Sequence, residues 1–186
     1  MTSAAFVNRR LASRLIRRVE TLRILFGAVW AIDAYLKWQP SFIRSYADSV
    51  ASAAHGQPDW LRPWFRLWRH LVAVDPRLLA HATAVIETLI ALALLLGIGR
   101  RAVYLFGAVW SLGIWVIPEG FGGSFLAGAT DIGTAIMYAL VFVTLYSLET
   151  LPAATGAWTL DRRLEHRIGW WHKLAEPGDR LSQPSQ

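Results

Sequence analysis

The chain has 186 residues, 54% of them hydrophobic, with 10 tryptophans and a formal net charge of +6. Only 17% are charged, against about a quarter in soluble domains, and the apolar residues fall in long runs; an ordinary soluble domain is excluded, and the basic excess suits anionic membrane headgroups better than nucleic acid. Cysteine is absent, which removes disulfide relays, iron–sulfur clusters, thiolate metal sites and cysteine nucleophiles.

In chain order, residues 1–20 read as a basic cytoplasmic segment carrying Arg9, Arg10, Arg14, Arg17 and Arg18. The apolar run that follows has no small-residue cleavage pattern after it, so it does not read as a cleavable signal peptide. Residues 21–150 form the membrane domain, with spans expected at about 22–38, 78–98, 102–117 and 131–149. Each approaches the roughly 20 apolar residues that cross ~30 Å of hydrocarbon as a helix, with end residues snorkelling where a run is short. A helix closes its own backbone hydrogen bonds in lipid, whereas the many short alternating strands of a membrane β-barrel are not written here. The fold class is therefore an all-α integral membrane protein, a four-transmembrane-helix bundle.

Between the first two spans, PDWLRPWFRLWRHLV sets Trp60, Trp64 and Trp68 four residues apart, with Arg62, Arg66 and Arg69 on another face. This predicts an outer interfacial Trp-rich helix over 59–73, serving either to cap the bundle or as a pocket lid or partner-docking surface. After the fourth span, Leu160, Leu164, Ile168, Trp171 and Leu174 make a second stripe, read as a cytoplasmic amphipathic helix over 151–175, with 176–186 a disordered tail. Arginines before the first span, at Arg100 and Arg101 between the second and third, and at Arg162, Arg163 and Arg167 after the fourth share one side. The positive-inside rule makes that side, and both termini, cytoplasmic; the expected location is a bacterial inner membrane.

The hexamer Leu-Phe-Gly-Ala-Val-Trp occurs twice, at 25–30 and 105–110, with Gly27 and Gly107 suited to close helix approach. It reads as scaffold. The copies diverge afterwards: the first runs on into Asp33 and Lys37, the second into Pro118 and a glycine-rich loop. Ionisable groups inside spans are costly and by default mark function. Asp33 and Lys37 stand i, i+4 on the face shared with Trp30, as a structural ion pair or part of a site. Glu87 sits mid-way along the second span without a cation on its own helix, and is the candidate proton relay. His81 lies nearer the outer edge. In PEGFGGSFLAGATD, Glu119 follows the helix-ending proline, Gly120, Gly122 and Gly123 allow an unusual turn, and Thr130 or Asp131 is placed to cap the fourth helix. Trp30, Asp33, Lys37, His81, Glu119 and Asp131 converge on the outer half, a polar pocket lined also by Tyr35, Trp110 and Trp115 and suited to an amphipathic head group such as a quinone. Haem, flavin and metal are not indicated; bis-histidine haem ligation needs facing histidines within the spans.

RILFGAVWAIDAYLKWQP after an Arg-rich start, a glutamate in the middle of the second span, WVIPEGFGGSFLAGATDIGTAIMYALVF and a C-terminal WTLDRRL together resemble the DoxX/DoxD family over roughly residues 20–165. The resemblance implies a four-helix membrane protein, with namesakes that are subunits of thiosulfate:quinone oxidoreductase or of a terminal quinol oxidase; it carries over no catalytic role residue by residue. The expected function is a membrane subunit of a quinone-linked oxidoreductase, partnered by lipid and by a second subunit or a further copy of itself. The alternatives are a non-catalytic membrane anchor or assembly partner of a redox complex, and a small-molecule carrier.

Overall fold

The computed structural model describes residues 3–150, 159–165 and 167–175. These are helical throughout, without a strand: α1 (Ser3–Lys37), α2 (Pro40–Ser52), α3 (Arg62–Val74), α4 (Pro76–Leu96), α5 (Arg100–Val116), α6 (Ala135–Glu149) and two short helices, α7 (Asp161–Glu165) and α8 (His172–Ala175). Among them α4 is the one helix both long and apolar enough to cross a membrane by those criteria alone, and α6 is a shorter apolar helix.

The basic N-terminal segment and the first apolar run are one continuous helix, because nothing between Ser3 and Lys37 breaks it. At ~1.5 Å per residue it is roughly 50 Å long. α1 packs chiefly against α4, and α5 against α6. The repeated hexamer serves both pairings. A Cβ on Gly27 would stand 3.1 Å from Leu94 and Leu95 of α4, and one on Gly107 would stand 2.3 Å from the Phe142 ring of α6. Between the pairs lies an aromatic core in which Phe26, Trp30, Tyr138 and Phe142 meet at ring separations of 4.9–6.3 Å.

Among the described residues five helix ends are closed by side chains, four of them on α4 and α5. Asp75 caps α4, accepting the Leu78 amide at 2.9 Å. At the other end of α4, where Gly97 takes the left-handed conformation (φ +64°) of a helix C-cap, buried Arg23 donates to the Leu94 and Leu95 carbonyls. Asp161 closes the start of α5, accepting from the Gly99 amide at 2.7 Å and the Arg100 amide at 3.2 Å. At the far end of α5, the Trp64 indole donates to the Val116 carbonyl at 2.9 Å.

Three expectations change. The segment between the first two expected spans holds a helix absent from the sequence reading, α2, started by Pro40 at its first turn and tied to α4 by a Tyr46–Thr83 hydroxyl pair at 3.2 Å. The last helix begins at Ala135, four residues later than expected, and neither Thr130 nor Asp131 caps it: Asp131 turns back on the Ile132 and Gly133 amides, while both Glu119 oxygens accept the Ala135 N–H at 3.1 and 3.2 Å. Of the single amphipathic helix expected over 151–175, residues 151–158 lie outside those described, and the remainder is α7 and α8 separated at Gly169. The reason is tertiary: Leu160 and Asp161 donate backbone N–H groups to Leu96 and Gly97, and Trp171 donates to Asp161 at 2.8 Å, so the segment folds onto the α4–α5 turn. The 176–186 tail lies outside the described residues.

The loop from Pro118 to Thr134 is built backbone against backbone. A Cβ on Gly122 (φ +64°) would fall 2.0 Å from the Ile132 carbonyl oxygen, whereas at Gly128 (φ +79°) it would meet nothing. Gly128→Ala is expected to cost only the ~1–2 kcal/mol of a left-handed alanine. Gly122→Ala adds a backbone collision and is expected to lower the melting temperature well beyond that, or to prevent folding; thermal melts of the two variants in parallel make the comparison.

Candidate functional site

A buried polar cluster that is not consumed in joining helix ends lies where α1, α4 and α5 meet. Helical spacing puts Asp33 and Lys37 one turn apart on α1, and the ammonium stands 3.2 Å from Asp33 Oδ1. The cation that α4 lacks comes from α1: Lys37 Nζ is 3.8 Å from Glu87 Oε2. Glu87 has no exposed surface, whereas Lys37 and Asp33 keep about a fifth to a quarter of theirs, 20% and 25%. Thr83, Ala84 and Ala91, the small residues at helical spacing around Glu87, are themselves buried, which lets α1 approach closely enough to bring its lysine across.

Neither Glu87 oxygen has a donor within 3.5 Å, and two indole N–H groups, Trp30 Nε1 and Trp110 Nε1, are buried without an acceptor at that distance, although Trp110 and Asp33 are near enough to Glu87 to interact with its carboxyl. Trp110 lies beside Glu87, and its α5 neighbour Ser111 has a buried hydroxyl that is also unpaired. Unpaired buried polar atoms cost about 1–3 kcal/mol each, so this is where the fold retains unspent hydrogen-bonding capacity. Two carboxyls share one ammonium, and that arrangement is neutral when one carboxyl holds a proton. Tyr138 of α6, which the sequence reading did not single out, edges the cluster: its ring is 5.8 Å from Trp30, and its hydroxyl is within electrostatic reach of Asp33, Lys37, Glu119 and Glu87.

Asp33, Lys37, Glu87, Trp30 and Trp110 are thus brought together. Glu119 sits at the neighbouring end, engaged with α6, and Gly133 (φ +87°) must be glycine beneath it because a Cβ there would come within 2.7 Å of the Gly122 Cα as well as of Glu119 Oε2. Gly120, Gly122 and Gly123 all take positive φ, as the turn requires. Gln57 reaches over to bind the Gly120 carbonyl at 2.9 Å. His81 is apart from the cluster: exposed, bonded to the Arg77 carbonyl at 2.7 Å, its ring edge-on to Trp38 at 6.2 Å. Asp131 is exposed and engaged in its own turn. Of the other aromatics expected to line the pocket, Tyr35 faces outward and is 65% exposed, while Trp115 donates to the Ile132 carbonyl and holds the loop.

A second buried network occupies the opposite end. Arg100 joins Glu149 at 2.7 Å and Asp161 at 3.1 Å, and Tyr104 donates to Glu149 at 2.6 Å. Every one of these groups is used in joining α5, α6 and the C-terminal segment, which makes the network structural. Sequence reasoning spent Arg100 on orientation because its partners lie 49 and 61 residues away. Among the described residues no group of three or more His, Asp or Glu side chains is arranged to hold a metal ion.

Removing one partner from a buried ion pair leaves an uncompensated charge, at a cost of about 3–5 kcal/mol. Lys37→Met is therefore expected to destabilise strongly in chemical or thermal unfolding. Adding Glu87→Gln to it recovers a large part of that loss, and a double-mutant cycle that gives no coupling between the two positions refutes the pairing.

Comparison with known proteins finds no matching family model, no curated protein and no solved structure similar to this chain.

Proposed function

We propose that the chain is a four-span protein of the bacterial cytoplasmic membrane, similar to the DoxX/DoxD family, and a membrane subunit of a quinone-linked oxidoreductase. What supports the membrane reading is the inverted distribution of side chains. Large apolar residues face outward on every long helix, among them Ile32 on α1, Leu89 on α4, Val109 on α5 and Val143 on α6, while Lys37, Asp33 and Glu87 face the interior. Soluble monomers rarely expose apolar patches beyond a few hundred Å²; hydrocarbon accommodates them at no cost. α1 and α5 then cross in one direction, α4 and α6 in the other, with the Arg100 turn on the cytoplasmic side and the Glu119 loop outside.

The observation that carries the quinone reading is the Lys37–Glu87–Asp33 cluster with the unpaired Trp30 and Trp110 N–H groups beside it. A quinone carbonyl needs hydrogen-bond donors, which Lys37 and the indoles supply. Reduction of a quinone to a quinol consumes two electrons and two protons. Glu87 and Asp33 hold and pass the protons, and the electrons come from a redox-active partner subunit. Glu119 orients its outer wall through the loop, while His81 and Asp131, exposed and engaged locally, stand outside it.

The second reading, a non-catalytic anchor for a redox complex, is favoured by the outer face of α3, where Leu67, Leu71 and Val74 are exposed beside Trp60. Trp64 is committed to Val116 and Trp68 is turned inward with its indole N–H buried, so a docking surface would use Trp60 and Leu71 instead.

Because the chain has no cysteine, a single introduced thiol reports topology without background. Ser13→Cys is expected to stay unlabelled by an impermeant maleimide in intact spheroplasts while Ala127→Cys labels; labelling of both or neither removes the four-span arrangement. In proteoliposomes, Lys37→Ala and Glu87→Gln are each expected to weaken quinone binding by about tenfold or more, the worth of one charge-assisted hydrogen bond. Unchanged binding in both variants ends the quinone reading. Co-purification of a partner that survives both variants, but is lost with Trp60→Ala and Leu71→Ala, establishes the anchor reading.

A further inference from the structure

The Lys37–Asp33–Glu87 cluster is polar on one side and apolar on the other. Glu87 has no exposed side-chain surface, whereas Asp33 and Lys37 keep 25% and 20% of theirs. What reaches Glu87 in this arrangement is a proton, handed along ionisable groups. Asp33 lies close enough to interact with the Glu87 carboxyl, and the Lys37 ammonium stands beside both, so the part-exposed carboxyl is the way in to the buried one.

The two directions along α4 differ. Toward its start, one turn from Glu87, the Thr83 hydroxyl pairs with that of Tyr46 on α2 at 3.2 Å, and the Tyr138 hydroxyl borders the cluster within electrostatic reach of Asp33 and Glu119. Hydroxyls both donate and accept, as proton transfer requires. Toward the end of α4 the surroundings close. Ala91 and Leu94 pack there with Phe26 and Trp30 of α1 and Phe142 of α6, all of them 5% exposed or less. α4 carries no ionisable side chain between Glu87 and its end, and α5 carries none from Trp110 back to Tyr104. Along α1 the next ionisable group in that direction after Asp33 is Arg23, roughly 15 Å away at ~1.5 Å per residue, and it is engaged with the Leu94 and Leu95 carbonyls.

We propose that the cluster exchanges protons with one side of the protein only, that of Glu119 and α2, and that the buried aromatic layer seals it from the side of Arg100. The groups that set its charge are Asp33 and Lys37 from α1, Glu87 from α4, Tyr46 from α2, Tyr138 from α6 and Glu119 from the loop; from α5 the facing group is the uncharged Trp110 indole. The proposal rests on the membrane reading above, in which the open side is outside and the sealed side cytoplasmic, and not on the quinone. If a quinone is the substrate, the two protons of each conversion to quinol come from the outer side, and the reverse reaction returns them there. A proton entering at Asp33 is matched by one leaving Glu87 for the quinone oxygen, so the cluster ends each transfer as it began.

The test follows the carboxylic-acid C=O stretch of the full-length protein by surface-enhanced infrared spectroscopy in a tethered bilayer. A tag at the N-terminus leaves the outer face toward the bulk solution, and a tag inserted at Ala127 leaves the cytoplasmic face toward it. The expected wild-type result is a band, removed by Glu87→Gln or Asp33→Asn, that vanishes when the bulk is made alkaline at the outer face and persists when it is made alkaline at the cytoplasmic face. Should neither variant fold, isotopically labelled glutamate or aspartate assigns the band in the unaltered chain. A band that responds from the cytoplasmic face, from both faces or from neither overturns the proposal, as does the lack of any such band. Maleimide labelling of Ser13→Cys and Ala127→Cys reports separately on the membrane arrangement: labelling of both or neither removes that arrangement, whereas correct labelling with a band that responds from both faces removes one-sided exchange alone.

Discussion

A helix end leaves backbone donors or acceptors without partners, and in surroundings poor in water the protein must supply the partners itself. The architecture follows from how it does so. Arg23 on α1 closes the end of α4; Asp161, from beyond α6, closes the start of α5; Trp64 on α3 closes the end of α5; Glu119 closes the start of α6. Each of these bonds joins two elements, so the groups that terminate the helices also determine how the helices are arranged. The α1–α4 and α5–α6 pairs meet through small residues and aromatic rings, and the long-range caps set their ends in register.

The charged cluster obeys the same constraint. Buried ionisable groups are tolerated when paired, and here the pairing runs between helices, Lys37 on α1 with Glu87 on α4. The divergence of the two hexamer copies then acquires a physical meaning. Both copies place a glycine against the following long helix of their own pair, and the first alone continues into a charged turn. One pair therefore carries the Lys37–Asp33–Glu87 cluster, while the other supplies Trp110 and Tyr138 along its border.

What the sequence made legible was periodic and local. Apolar runs located α4 and α5 to within two residues at each end, the tryptophan spacing located α3, and the i, i+4 rule paired Asp33 with Lys37. What it hid depended on contacts across the chain. Glu119 reaches Ala135 over 16 residues, so the adjacent Asp131 looked like the better cap by proximity. Arg23 and Arg100 were counted as basic flanks that orient the spans because their carbonyl and carboxylate partners lie 49 to 72 residues away. α2 escaped because PSFIRSYADSVAS mixes polar and apolar residues without a long apolar run; its place is set by packing on α3 and α4. His81 and Asp131 were grouped with the cluster by depth alone; direction around the α4 axis separates His81 from it, and Asp131 turns back into its own loop.

The contact between Gly122 and the Ile132 carbonyl also determines which parts of the outer loop are free to change. Where two backbone strands touch with no side chain between them, no rotamer can absorb a shift, so the spacing from Glu119 to Gly122 is a fixed length that sets where α6 begins. The tip around Gly128, with open space about it, bears no such load. Variation in length or composition at the tip leaves that contact untouched, whereas one residue gained or lost at its base detaches Glu119 from the start of α6.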